Sequence, residues 1–204
     1  PTILATPFVG RDDNLFMVSP SVGVATRLCA AFLYARGQRR IALAYDVRNQ
    51  TFTADWAEHF RSDFAALGGV VVAQTPFSSG DLPSYEAAAR RLAAAQPDAL
   101  HFVTSAVDAV RLTQATRHLG MQVPISTASW AATEHLVQLG GRSVEGVVVT
   151  QLFNRNDASP TYRAFHQAFV GRFGQEPGFA AVLAYDATRA LLAAYAKRRS
   201  GQAL

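Results

Sequence analysis

Short apolar runs alternate with helical segments along the middle of the chain, and this alternation narrows the possible folds more than any other feature. Apolar runs without polar alternation predict strands at 41–45, 70–74, 98–103, 124–127 and 146–152. Helical spacing of apolar residues predicts helices over 54–67, 84–95, 108–119 and 131–139. The strands begin roughly 22 to 29 residues apart, which is the length of a βαβ unit. The pattern therefore predicts an α/β fold with a doubly wound parallel sheet.

The two ends of the chain contain predicted helices but little that resembles a strand. Helices are expected over 22–35, 160–173 and 179–198. Amphipathic helices need a sheet or another helix to cover their apolar faces. The ends therefore either pack on the central sheet or belong to a second lobe whose sheet is largely missing from this chain.

Charge and cysteine content exclude several classes of protein. The chain has 19 basic and 15 acidic residues and a formal charge of +4. All the basic residues except Lys197 are arginines, and they are scattered, so nucleic acid is not an expected partner. A single cysteine, Cys29, excludes an intrachain disulfide framework and a multi-cysteine metal site. No apolar stretch is long enough for a transmembrane helix, and residues 1–10 do not resemble a signal peptide.

The motifs of the common catalytic and cofactor sites are missing. The sequence contains no GxGxxG after a strand, no GxxxxGK[ST], no GxSxG and no HExxH. The five histidines are dispersed without the spacing of metal ligands. Cys29 lies in a helix of small residues, which indicates a buried, inert thiol. We therefore expect no metal ion, no cofactor and no catalysis.

Polar and aromatic residues follow several of the predicted strands. An open parallel sheet binds ligands beyond the carboxyl ends of its strands, so these loops hold the candidate binding residues. They are Phe52, Phe77, Thr104, Ser105, Ser129 and Trp130. This neutral set of hydroxyl and aromatic side chains suits a small solute with polar and apolar parts better than acid–base catalysis. Core packing is the competing role for each aromatic residue.

Eight short segments occur in the order in which a known family carries them. They are RIALAYD at 40–46, LGGVV at 67–71, FSSGDL at 77–82, PDAL at 97–100, LGM at 119–121, EGV at 145–147, FGQEP at 173–177 and AYDA at 184–187. In these segments the chain resembles the leucine/isoleucine/valine-binding proteins, a branch of the type I periplasmic solute-binding proteins of ABC transporters. Each segment alone is weak, and their shared order over nearly the whole chain carries the resemblance.

The resemblance implies a two-lobed periplasmic or extracellular protein that closes over a ligand held in a cleft. Residues 1–37 match the end of the first lobe, 38–153 the second lobe, and 154–204 helices that return to the first lobe. The opening βα units of the first lobe are absent, so a fragment with one complete lobe and part of another is expected. The implied partners are the membrane permease of an ABC transporter and a small solute, either an amino acid or a related carboxylate or aromatic compound.

Site residues carry over from the family at only some positions. The first-lobe loop that holds a ligand carboxylate matches the segment that contains Thr6, and Phe52 matches an aromatic residue that is often Tyr in amino-acid binders. Thr104 and Ser105 match the loop after the third strand of the second lobe. In amino-acid binders of the family an acidic residue contacts the ligand ammonium. The corresponding position in this chain falls near Ser129, which is neutral. This departure, together with the neighbouring Trp130, favours an aromatic, aliphatic or carboxylate-bearing solute over an α-amino acid.

Two other functions are compatible with the same pattern. A ligand-sensing domain of a receptor or repressor shares the fold, although the sequence contains no helix-turn-helix segment. An α/β enzyme is the other alternative, and it is disfavoured by the missing phosphate loop, nucleophile motif and metal spacing.

Overall fold

A computed structural model describes residues 16–197, which form two compact units. We call the unit formed by 21–151 the sheet unit, because it contains all the strands of the described residues. The described part of the second unit, 16–20 and 152–197, is called the helical unit after its two long helices.

The sheet unit is built on five parallel strands in the order β2-β1-β3-β4-β5. The strands are β1 Arg40–Asp46, β2 Val70–Phe77, β3 Ala99–Val103, β4 Ile125–Thr127 and β5 Val148–Val149. The predicted doubly wound parallel sheet is therefore confirmed. This strand order reverses between β1 and β3, so the chain leaves these two neighbouring strands towards opposite faces of the sheet.

Helices cover both faces of this sheet, as the unbroken apolar runs of its strands predict. Helices α1 Val22–Ala35 and α2 Gln50–Ala66 lie on one face. Helices α3 Leu82–Ala94, α4 Ala106–His118 and the short α5 His135–Gly140 lie on the other. None of the helices in 16–197 has the length and apolar character needed to cross a bilayer.

Helix α1 packs within the sheet unit, against the same core as α2. Its residues Ala30 and Leu33 are buried together with Phe60 and Phe64 of α2. Cys29 lies in this core too, and burial raises the pKa of its thiol to about 11, so it stays protonated at neutral pH. The assignment of 1–37, 38–153 and 154–204 to lobes of a longer protein stays a prediction.

Two predicted elements are shorter than expected. The helix predicted over 131–139 is instead a 3-10 turn at Ser129–Ala131 followed by α5, and the strand predicted over 146–152 is reduced to β5. The shortening has a local cause, because Gly146 adopts a positive φ of 78° that bends the chain just before β5. In addition, the neighbouring strand β4 pairs with β5 only through Ser126 and Thr127.

A hydrogen-bonded chain of polar groups crosses the core beneath α2. Trp56 donates its indole N–H to Nε2 of His101 on β3 over 3.0 Å, and Nδ1 of His101 lies 2.9 Å from the hydroxyl of Ser126 on β4. Because an indole N–H can only donate, Nε2 must accept, so the neutral imidazole carries its proton on Nδ1 and donates it to Ser126. The imidazole also stacks on Phe60 with ring centroids 4.6 Å apart.

In the helical unit, aromatic side chains join the helices α6 Pro160–Phe173 and α7 Phe179–Ala196. The ring of Phe165 on α6 lies 4.4 Å from the ring of Tyr185 on α7. Along α6, Phe165, Phe169 and Phe173 follow one another with ring centroids 5.7 and 4.6 Å apart, so these aromatic rings share one side of the helix. Helix α6 ends at Gly174, whose φ of 67° is the left-handed conformation that favours glycine.

The buried imidazole makes folding sensitive to acid. Burial lowers the pKa of His101 to about 3, whereas in the unfolded chain it titrates near its ordinary value of 6.5. The stabilising effect of the neutral ring is complete above about pH 6.5 and is lost as the pH falls towards 3, by about 1.4 kcal/mol per pH unit. We expect His101→Asn to flatten the fall in unfolding free energy between about pH 6.5 and 5, measured by urea denaturation. The control variant His59→Gln, at an exposed position, should keep the slope of the native protein, and an unchanged slope in His101→Asn would contradict the prediction.

Candidate functional site

The reversal of strand order creates the place where this sheet can hold a ligand. The connections after β1 and β3 leave towards opposite faces, so the carboxyl ends of these strands border a crevice that neither connection covers. The loop after β4 lies beside β3 along the same edge. We call the carboxyl ends of β1, β3 and β4 with the residues that follow them the crevice.

Two partly exposed aromatic side chains meet at the crevice. Phe52, in the first turn of α2, and Trp130, in the 3-10 turn after β4, lie edge to face with ring centroids 6.3 Å apart. Phe52 also contacts Trp56, whose ring centroid is 5.9 Å away and which is fully buried. The pair is thus anchored on the core while its outer surface faces solvent, an arrangement suited to an apolar part of a ligand.

A buried carboxylate fixes the loop that presents Phe52. Asp46, the last residue of β1, accepts hydrogen bonds at Oδ1 from the backbone N–H groups of Arg48 and Ser79, over 3.0 and 3.1 Å. The hydroxyl of Thr53 donates to the Asp46 carbonyl over 2.6 Å, which ties the first turn of α2 to the end of β1. These bonds hold together the ends of β1 and β2 and set the position of Phe52 beside Thr53.

A second buried carboxylate, that of Asp108, accepts hydrogen bonds from Thr104 and Ser105, the predicted residues after β3. Ser105 is the N-cap of α4: its hydroxyl accepts from the backbone N–H of Asp108 and donates to Oδ2 of the same residue. The hydroxyl of Thr104 points at the same oxygen over 3.4 Å, and Tyr85 of α3 donates its hydroxyl to Oδ1. The hydroxyls of Thr104 and Ser105 are therefore committed inside the protein, and Thr104 is fully buried.

The Tyr85 hydroxyl is held at the junction of three elements. It accepts a hydrogen bond from the backbone N–H of Gly80 over 2.7 Å, in addition to donating to Asp108. Burial, followed by the bond to Asp108, raises the pKa of Tyr85, so its phenol stays protonated and able to donate at neutral pH. The phenol thereby links the loop after β2 to the first turn of α4.

The remaining predicted residues differ in how accessible they are. Phe77 is buried among the residues that pack α3 on the sheet, with its ring 5.4 Å from that of Tyr85, so it occupies a core position. Ser129 is buried as well, but among residues 16–197 its hydroxyl has no hydrogen-bond partner, and it lies next to Trp130. Thr6 lies outside the described residues. Of the seven predicted residues, Phe52, Ser105 and Trp130 are partly exposed beyond the strand ends, whereas Phe77, Thr104 and Ser129 are buried.

Sequence reasoning missed the groups that organise the crevice. Asp46 and Asp108 follow strands, but nothing in the sequence separates a buried, hydrogen-bonded carboxylate from an exposed one. The spacing of Ser105 and Asp108 is the one local signal, because a Ser followed three residues later by an acid is typical of a helix N-terminus. Within the described residues, His, Cys, Asp and Glu side chains form no group of three that could hold a metal ion.

A family model and several solved structures match this chain. The family model described as periplasmic binding protein matches residues 4–203. A leucine-binding protein of Thermotoga maritima superposes with a TM-score of 0.80 at 25% identity, over 87% of this chain and 51% of that protein. No curated protein matches the sequence.

Two further solved structures share the fold at lower identity. A solute-binding protein of an ABC transporter from R. palustris, in complex with benzoate, has a TM-score of 0.76 at 18% identity over 86% of this chain and 48% of that protein. A branched-chain amino acid transporter substrate-binding protein of Streptococcus pneumoniae, in complex with isoleucine, has a TM-score of 0.74 at 20% identity, over 86% and 50%. The chain spans about half the length of these proteins.

The bond between Tyr85 and Asp108 generates a stability prediction. Tyr85→Phe removes the donor to a buried carboxylate and the acceptor of the Gly80 N–H, and it should lower the free energy of unfolding by about 2 kcal/mol. Denaturant unfolding followed by circular dichroism measures this difference. The matched control is Tyr45→Phe, because the Tyr45 hydroxyl makes no hydrogen bond within 16–197; equal effects of the two substitutions would contradict the role of Asp108.

Proposed function

Because this chain belongs to the periplasmic binding protein family, we propose that the full-length protein binds a small solute without catalysis and delivers it to the membrane permease of an ABC transporter. The crevice at the carboxyl ends of β1, β3 and β4 is the proposed binding site. The observation that carries the proposal is the pair of Phe52 and Trp130, two partly exposed aromatic rings meeting where the strand order reverses. The place of action is the periplasm or the outer cell surface.

The acidic groups near the crevice are taken up by hydrogen bonds within the protein, so neither is free to contact a ligand ammonium. Asp46 and Asp108 are each more than nine-tenths buried, and both accept hydrogen bonds from protein groups. The position near which amino-acid binders of the family place an acid holds Ser129. We therefore infer a small carboxylate with an aromatic or aliphatic body as the ligand class.

Each part of such a ligand has a counterpart among the described residues. Phe52 and Trp130 offer an apolar surface to the body of the ligand, and the Ser129 hydroxyl is an uncommitted donor beside it. The contact of Thr6 with the ligand carboxylate, which the resemblance implies, stays a prediction, because Thr6 lies outside the described residues. The structural neighbours bind ligands of both relevant kinds, benzoate in one case and isoleucine in another.

A ligand panel on the full-length protein tests the proposed ligand class. Thermal unfolding is measured with benzoate, phenylacetate, octanoate, isoleucine and phenylalanine, and hits are confirmed by isothermal titration calorimetry. A carboxylate without an ammonium group should raise the unfolding temperature more than its amino-acid counterpart, because binding to the native state stabilises it. A larger effect of the amino acids would contradict the ligand class while leaving solute binding intact. No binding by any small solute would contradict the proposed function itself.

The role of Trp130 can be tested with the best ligand of this panel. Trp130→Ala in the full-length protein removes one wall of the crevice and should weaken binding about tenfold or more, since truncating a buried aromatic contact costs at least about 1.4 kcal/mol. Calorimetry measures the affinity, and the far-ultraviolet spectrum should be unchanged. The control Val70→Ala removes an exposed apolar side chain from the first residue of β2, at the amino end of the strands, and should leave the affinity unchanged. Equal affinities of the Trp130→Ala and native proteins would exclude Trp130 from the site.

A further inference from the structure

A second concave surface lies on the sheet unit, and none of Phe52, Ser105, Ser129 and Trp130 lines it. It is a groove of about 600 Å³ between α3 and α4, within the size range of small-molecule sites. From α3, Leu82, Glu86 and Arg90 line it at helical spacing, and from α4, Arg111, Ala115 and His118 do so. We call it the α3–α4 groove.

Much of the lining of the α3–α4 groove is apolar. Small or buried side chains, Ala89 and Ala115 with the ring of Tyr85, form its apolar lining. Leu82 and Leu119 contribute exposed apolar surface towards its two ends. A ligand with an extended apolar body would therefore bury apolar surface on both helices.

Positive charge dominates the polar part of the groove. Arg90 pairs with Glu86 on its own helix, with 3.5 Å between Nη1 and Oε2. Arg111 pairs with no carboxylate among residues 16–197: its guanidinium carbon lies 5.5 Å from the centroid of the Tyr85 ring, and its Nη1 lies 3.4 Å from the Tyr85 hydroxyl. Two arginines against one glutamate give the lining a net charge of +1, and the Asp108 carboxylate, which accepts from the Tyr85 hydroxyl, is buried and does not line the groove.

We propose that the α3–α4 groove binds an amphipathic organic anion, with its carboxylate or sulfonate on Arg111 and its apolar body along Ala115 and Leu119. A guanidinium presents paired N–H donors that match the two oxygens of a carboxylate. Arg111 is already fixed over an aromatic ring, so less side-chain freedom is lost when an anion binds. This site is separate from the crevice and goes beyond the solute-binding function proposed above.

Anilinonaphthalene sulfonate is a suitable probe, because it joins a sulfonate to an apolar aromatic body and fluoresces when it leaves water. The full-length native protein should bind it saturably, octanoate should displace it, and octylamine, which has the same chain length and the opposite charge, should not. Arg111→Gln should weaken binding about fivefold or more, and Ala115→Phe, which fills the groove, should abolish it. Should Arg111→Gln fail to fold, Arg90→Gln serves as the second charge variant, with the same direction expected.

Two control variants locate the probe. Arg91→Gln removes the same charge from an adjacent exposed residue that does not line the groove, and Trp130→Ala alters the crevice. Neither should change the affinity for the probe. The proposal is overturned if the native protein shows no saturable binding, if octylamine displaces the probe as well as octanoate does, or if Arg91→Gln weakens binding as much as Arg111→Gln. Loss of binding in Trp130→Ala would place the probe in the crevice and would also overturn the proposal.

Discussion

The reversal of strand order between β1 and β3 is the constraint on which the sheet unit depends. Because crossovers between parallel strands are right-handed, the helix after β1 and the helix after β3 must lie on opposite faces of the sheet. Both faces of the central strands are then covered, which explains why β1 carries apolar side chains on both faces and why β3 does so at every position except His101. The same reversal leaves their carboxyl ends uncovered. Burial of the core and exposure of a binding crevice thus have a single topological cause.

Buried polar groups hold the parts of this framework in register. Asp46 joins the ends of β1 and β2, Asp108 joins the loop after β3 to α3 through Tyr85, and His101 joins α2 to β4 through Trp56 and Ser126. Each of these groups is more than nine-tenths buried and has its hydrogen bonds supplied by the protein, as burial of polar groups requires. These hydrogen bonds thereby hold the segments that carry Phe52 and Trp130 in fixed positions. A preorganised apolar surface suits reversible binding of a solute by a periplasmic binding protein, because little freedom is lost when the ligand arrives.

The sequence predicts the architecture well because the signals for it are local. Apolar runs, helical spacing and glycine stops at Gly68 and Gly120 place β1 to β4 and α2 to α4 within a few residues of where they lie. Prediction fails where an element depends on its neighbours: β5 is short because β4 offers it few partners and Gly146 bends the chain before it. The candidate site residues divide in the same way, because local signals indicate some of their properties and contacts with distant residues decide the others. Strand-end position selects Phe52 and Trp130, which stay partly exposed, and equally Phe77 and Thr104, which packing and hydrogen bonding bury. The partners Tyr85 and His101 lie far along the chain from the groups they contact, so no spacing pattern reveals them.

The sheet unit carries two surfaces of different chemistry. The crevice presents a neutral aromatic surface at the strand ends, and the α3–α4 groove is a positively charged surface between two helices. The central proposal is that the solute bound by the full-length protein occupies the crevice. A crystal structure of the full-length protein with its tightest-binding carboxylate tests this most directly. The solute should lie in van der Waals contact with the rings of Phe52 and Trp130 at the carboxyl ends of β1, β3 and β4. A solute bound elsewhere, with the two rings packed only on each other and on the core, would contradict it.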